Sequence, residues 1–143
     1  MLKNISKIVS PELIKTLCEM GHGDEIVIAD GNFPSEAFGK RVIRADGLSG
    51  TKILDAVLSL IPLDSYSDPN FILMSLMDCD KGKINPVIWN DYKNIAETRD
   101  ENVKIGHLGR FEFYERAQKA YAVIATGEEA VYANIILKKG VIK

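Results

Sequence analysis

Cysteine is scarce in this chain: among 143 residues only Cys18 and Cys79 carry thiols. Two thiols make no disulfide framework, and no CxxC pair or Cys/His cluster has the spacing of a zinc site. An excess of positive charge is also missing. Eighteen Lys and Arg stand against twenty Asp and Glu, for a net charge of -2, so the basic footprint of a nucleic-acid binder is not there. No apolar run approaches the roughly 20 residues of a membrane helix, and MLKNISKIVSPELIK at the N-terminus lacks the unbroken apolar stretch of a signal peptide. The expectation is a soluble, cytoplasmic protein with neither membrane nor nucleic acid as partner. GxGxxG, Walker, HExxH and GxSxG patterns are all absent, which removes the nucleotide, zincin and hydrolase-elbow fingerprints.

What is present is ordinary globular composition: 46% apolar and 27% charged residues, enough for one packed core at this length. One domain spanning residues 1–143 is expected, without repeat, linker or low-complexity segment. Ser10 is placed to cap a helix over residues 11–20, with Pro11 at its first position and Leu13, Leu17 and Met20 at helical spacing. On that pattern Cys18 belongs to the core rather than to a nucleophilic site. Residues 25–30 and 71–77 are short, continuous apolar runs and predict strands buried on both faces. Further strands are expected over 41–44, 103–107, 121–126 and 131–138, and helices over 51–60, 86–98 and 110–120. Helices and strands alternate, so the fold class is α/β: a central β-sheet with helices on its faces.

Four places carry candidate chemistry. His22 lies between Gly21 and Gly23; its imidazole exchanges protons near neutral pH, although a turn histidine exposed by chance accounts for the pattern equally well. Asp30 ends a buried strand, where α/β sheets place ligand contacts; the plainer alternative is an aspartate capping the Gly31-Asn32 bend. Arg110 opens a helix, against the dipole, or is simply a solvated arginine. Phe111, Phe113, Tyr114, Ala117 and Ala120 in that helix are expected in the core. Tyr132 and Asn134 sit two apart in the expected last strand, so both would share one face, with Ala133 offering its backbone between them.

Six stretches carry a resemblance: LKNIS, SPELIKTLCEMGHGDEIVIAD, VIRADGL, LDSY, RFEFYERAQKA and YANIILKKGV. Over nearly its whole length the chain resembles the ribose pyranase/fucose mutarotase family. VIRADGL and RFEFYERAQKA look like the fucose branch, and the ribose branch has histidine where Arg110 stands. The sequence departs from the fucose branch at Asn32, often histidine there, and over about residues 78–105.

The resemblance implies an α/β fold assembled into a ring-shaped homo-oligomer, typically a decamer, that interconverts the anomers of a free monosaccharide, L-fucose, by general acid–base ring opening and closure. It implies His22 as proton donor and Asp30, Arg110, Tyr132, Ala133 and Asn134 as substrate contacts, with no cofactor and no metal. His22 and Asp30 are eight residues apart; fully extended at about 3.3 Å per residue they would stand roughly 26 Å apart. Two groups so separated cannot touch one sugar, so each site is expected to combine two subunits. The alternatives are a ribose pyranase, a non-catalytic sugar-binding or transport accessory module, and a purely structural ring protein.

Overall fold

A computed structural model describes all 143 residues. Eleven elements alternate along it: α1 (Pro11–Glu19), β1 (Glu25–Ala29), α2 (Ser35–Phe38), β2 (Val42–Ala45), α3 (Gly50–Leu58), β3 (Phe71–Met74), α4 (Ile88–Arg99), β4 (Ile105–Leu108), α5 (Arg110–Lys119), β5 (Ala122–Thr126) and β6 (Ile135–Lys138). The six strands form one sheet in the order β2-β5-β1-β6-β3-β4. β1, β5 and β2 run parallel, as do β3 and β4, while β6 is antiparallel to both β1 and β3. Five strands therefore point the same way, and their carboxyl ends share one edge of the sheet.

Alternation within each strand divides the core into two layers. Ile26, Ile28, Phe71, Leu73, Ile124, Ile135 and Leu137 face a layer completed by Leu13 and Leu17 of α1, Ile53 and Leu54 of α3, and Tyr92 and Ala96 of α4. Val27, Ala29, Ile72, Met74, Val123 and Ile136 face the other, closed by Phe113 and Ala117 of α5 and by Phe33. Burial on both faces is why these strands read as unbroken apolar runs. No helix is long and apolar enough to cross a membrane.

Local chemistry sets the boundaries. The Ser10 hydroxyl accepts from the Leu13 N–H at 3.1 Å, as a cap for α1. The one-turn α2 was not expected; four residues carry too little periodicity to show it. Three expectations need correction. Cys18 is exposed rather than core, because α1 buries only the stripe through Leu13, Thr16 and Leu17. Phe111 is 71% exposed, while Phe113, Ala117 and Ala120 are buried as expected and Tyr114 is only partly so. Residues 131–134 are not strand: Tyr132 takes a left-handed φ of 58°, and β6 begins only at Ile135.

Candidate functional site

The chain entering and leaving the carboxyl edge of the sheet brings distant residues together. Asp30 follows β1, Met77 follows β3, Arg110 stands two residues past β4, and Tyr132 and Asn134 lead into β6. This is the position where open α/β sheets bind ligands. Asp30, Arg110, Tyr132 and Asn134 line one cavity of about 310 Å³, together with Asn32, Phe33, Met74, Met77, Asp80, Tyr114 and Val131. Ala133 is wholly buried behind the wall.

Asp30 and Asn134 hold each other through two hydrogen bonds. The Asp30 N–H donates to Asn134 Oδ1 at 2.8 Å, and Asn134 Nδ2 donates back to Asp30 Oδ2 at 3.1 Å. Because the backbone N–H can only donate, the amide orientation is fixed. Asp30 Oδ1 also accepts from the Asn32 N–H at 3.0 Å. Aspartate capping the bend and aspartate facing a ligand are thus one arrangement. Burial pushes the Asp30 carboxyl above its ordinary pKa, against the N–H groups of Asn32, Ala133 and Phe33 and the Asn134 amide, which pull it down.

Tyr132 is fixed at three points. Trp89 Nε1 donates to its carbonyl at 2.8 Å. Its hydroxyl accepts from the Met77 N–H at 3.2 Å and donates to Asp80 Oδ2. Next to it, the Tyr92 hydroxyl donates to the Ala133 carbonyl at 3.0 Å. Side chains of α4 thereby take the carbonyls that a strand ladder would otherwise use, while the loop after β3 holds the phenol. A left-handed φ costs an L-residue about 1–2 kcal/mol; these bonds hold it, and such strain is characteristic of ligand-binding turns.

Arg110 is the cavity's cation. Its Nε donates to the Tyr114 hydroxyl at 3.0 Å, one helical turn along α5. The guanidinium lies 5.4 Å from the Tyr114 ring centroid, and Nη1 approaches Met77 Sδ at 3.6 Å. Several guanidinium N–H groups stay free for a ligand. Phe33 and Tyr114 meet edge-to-face at 5.5 Å between ring centroids and form an apolar wall beside these polar groups.

His22 is not part of this cavity. It sits in the turn before β1, next to the last residue pairs of β6, at the opposite edge of the sheet; the Gly23 N–H donates to the Lys139 carbonyl at 2.8 Å. Only residues 25–29 between His22 and Asp30 are strand, so the fully extended 26 Å is an upper bound. The five-residue strand alone still separates the two ends by roughly 16 Å. His22 Nε2 lies 3.1 Å from Asp64 Oδ1, with the imidazole 49% exposed and the carboxylate 4%. The Ser67 hydroxyl, donating at 2.6 Å, and then His22 hold the Asp64 pKa down at about 2. The imidazole opens onto a separate hollow of about 480 Å³, walled mainly by apolar side chains including Ile14, Leu17, Ile61 and Val141, with Cys18 at its side.

Sequence reasoning passed over Asp80, Met77, Met74 and Tyr114. Asp80 lies in a turn-rich stretch without periodicity, Met74 and Met77 read only as part of a buried strand over 71–77 although β3 ends at Met74, and Tyr114 was assigned to the core. The signal that locates all four is tertiary: the shared edge of the parallel strands.

A family model described as the RbsD / FucU transport protein family matches residues 3–142. The chain is 51% identical to the fucose mutarotase of Mus musculus over 143 residues, covering 97% of this chain and 94% of that protein. The crystal structure of the fucose mutarotase from Streptococcus pneumoniae in complex with L-fucose superposes with a TM-score of 0.92 at 49% identity, covering 99% of this chain and all of that one. FucU from Bifidobacterium longum superposes with a TM-score of 0.94 at 51% identity, with the same coverage. A match that runs from residue 3 to residue 142 takes in every element of the fold, and the chain belongs to the RbsD / FucU transport protein family.

Proposed function

We infer that this protein is an L-fucose mutarotase, an isomerase that interconverts the α and β anomers of the free sugar in fucose utilisation. The observation that carries the reading is the carboxyl-edge cavity. It sets a buried carboxylate, a guanidinium and a clamped tyrosine beside an apolar wall, in a volume suited to one monosaccharide. Sugar hydroxyls meet acceptors at Asp30 and Tyr132 and donors at Arg110. The wall of Phe33, Met74 and Tyr114 gives the 6-methyl group of a deoxyhexose apolar surface. The 49–51% identity to fucose mutarotases supports the same substrate.

Mutarotation takes the proton from the anomeric hydroxyl and delivers one to the ring oxygen. The C1–O5 bond breaks, the aldehyde turns, and reclosure gives the other anomer. In our reading His22 donates the proton to the ring oxygen, Asp30 holds hydroxyls and accepts the anomeric proton as base, and Arg110 stabilises developing negative charge on oxygen. Tyr132, Asn134 and the Ala133 backbone orient the sugar. General acid–base catalysis of this kind contributes about 10²–10⁴-fold, without a cofactor.

Because His22 and Asp30 lie at opposite edges of the sheet, the reading requires a second copy whose His22 reaches the cavity of the first. The apolar hollow around His22 supports such packing, and a ring-shaped homodecamer of this one mutarotase domain, residues 1–143, located in the cytoplasm, completes the proposal. The test is NMR saturation transfer between the anomers of L-fucose. The wild-type protein accelerates exchange and His22→Ala abolishes it. Binding of L-fucose without faster exchange would make the protein a sugar-binding module instead. Faster pyranose–furanose exchange of D-ribose than anomer exchange of L-fucose would make it a ribose pyranase.

A further inference from the structure

The loop between β3 and α4 places a carboxylate against the tyrosine of the cavity. Asp80 is held there by its own backbone: its N–H donates to the Met77 carbonyl at 2.9 Å, and its carbonyl accepts from the N–H groups of Lys83 and Ile84, each at 3.0 Å. Lys81, its neighbour in sequence, pairs with Asp78 at 2.7 Å instead. The Asp80 side chain lines the cavity and takes the Tyr132 hydroxyl proton on Oδ2.

The hydrogen-bond inventory of the phenol then decides what it can offer a ligand. A phenolic oxygen has one proton to give and two lone pairs to share. The Met77 N–H, which can only donate, occupies one lone pair at 3.2 Å. An ionised carboxylate can only accept, so the single proton goes to Asp80. One lone pair is left for the cavity.

We propose that Asp80 is a positioning residue that commits the Tyr132 proton to itself and so makes the Tyr132 oxygen an obligatory acceptor for a hydroxyl of the bound sugar. This deepens the reading of the cavity as a sugar site and rests on it. Without the carboxylate, the phenol is free to turn its proton into the cavity and meet the same hydroxyl as a donor. The sugar then loses the fixed hydrogen-bond direction that orients it for ring opening. Burial, and after it the hydrogen bond to Asp80, hold the Tyr132 phenol above the ordinary tyrosine range, in keeping with a proton that stays on the oxygen and points at the carboxylate.

The experiment measures anomer exchange of L-fucose by saturation transfer in the assembled full-length protein. Its variants are Asp80→Ala, which removes every side-chain acceptor at this place, Tyr132→Phe and the double substitution. We expect Asp80→Ala to slow kcat about tenfold or more while KM moves less than about threefold, and to cause no further loss in the Tyr132→Phe background. With ¹³Cζ-labelled tyrosine, the Tyr132 phenol of Asp80→Ala titrates at lower pH than in the wild type, a change that a purely structural turn residue does not predict. Exchange at the wild-type rate in Asp80→Ala, or a loss that persists undiminished on top of Tyr132→Phe, overturns the proposal. Should Asp80→Ala fail to fold, binding to the wild type decides. Monodeoxyfluoro L-fucoses and methyl L-fucoside each replace a donor hydroxyl with a group that cannot donate. One of them must bind at least tenfold more weakly than L-fucose, and that loss must vanish in Tyr132→Phe; no such analogue overturns the proposal. A wild-type protein that leaves L-fucose exchange unaccelerated rejects the functional reading itself, a result separate from the behaviour of Asp80→Ala.

Discussion

At the scale of single residues, two carboxylates in this chain are shifted in opposite directions. Asp30 is buried among hydrogen-bond donors that do not fully replace water, so its pKa rises. Asp64 is buried with Ser67, His22 and the Tyr66 N–H on its two oxygens, so its pKa falls to about 2 from 3.8. A depressed folded-state value means that the unfolded chain binds the proton more readily. The stabilisation from Asp64 is therefore complete above about pH 4 and is lost as the pH falls through about 2. Urea unfolding of wild type and Asp64→Asn should show a stability gap at neutral pH that closes between pH 4 and 2. For Asp30→Asn the expectation is a loss of at least roughly 10²-fold in anomer exchange. The carboxamide can still accept from Asn32 but turns an NH2 toward the Asn134 amide in place of an acceptor, so a fall in melting temperature of a few degrees should accompany the loss of rate.

At the scale of elements, the site depends on how loops meet the sheet edge. Gly127, just past β5, has no room for a side chain: a methyl group there would collide with the Asp46 carbonyl at the end of β2. Backbone cannot retreat as a flexible side chain does. Gly127→Ala should lose about 3 kcal/mol or more, read calorimetrically as a fall in Tm of roughly 10 °C. Trp89, by contrast, anchors the cavity through one bond from α4 to the Tyr132 carbonyl. Trp89→Phe keeps most of the apolar contact but removes that donor, so L-fucose binding measured by titration calorimetry should weaken by about three- to tenfold. Most helices and strands were legible because their apolar periodicity reflects burial: α3, for example, buries Ile53, Leu54 and Val57 as its spacing implies. The segment 131–134 was not, because Val131, Tyr132 and Ala133 suit a strand locally. Trp89 and Tyr92, about forty residues away, claim the carbonyls that strand pairing would have used.

At the scale of the whole molecule, the sheet holds the two halves of the proposed chemistry apart. His22 and Asp30 occupy opposite edges, so the composite-site reading makes a demanding prediction. His22→Ala and Asp30→Asn chains should each be nearly inactive alone. Co-refolded in equal amounts, they should regain activity, since some interfaces then unite an intact His22 with an intact Asp30. Saturation transfer on the mixed assembly reads this directly; no recovery would place the catalytic acid elsewhere.

The amino-acid order by itself determined the α/β class and the two-sided burial of the strands, because apolar periodicity and local capping are properties of neighbours along the chain; the family was legible only through the resemblance of particular stretches such as VIRADGL and RFEFYERAQKA. It also marked His22, Asp30, Arg110, Tyr132, Ala133 and Asn134 as candidates. Only the tertiary structure decided that four of these line one cavity with Asp80, that Ala133 stands behind it and that His22 faces away. Proximity across the sheet edge comes from strand order and direction: β1 beside β6, β6 beside β3 and β3 beside β4 bring residues 30, 77, 110 and 134 together. No local preference encodes that order; the packing of two helical layers on one twisted sheet does.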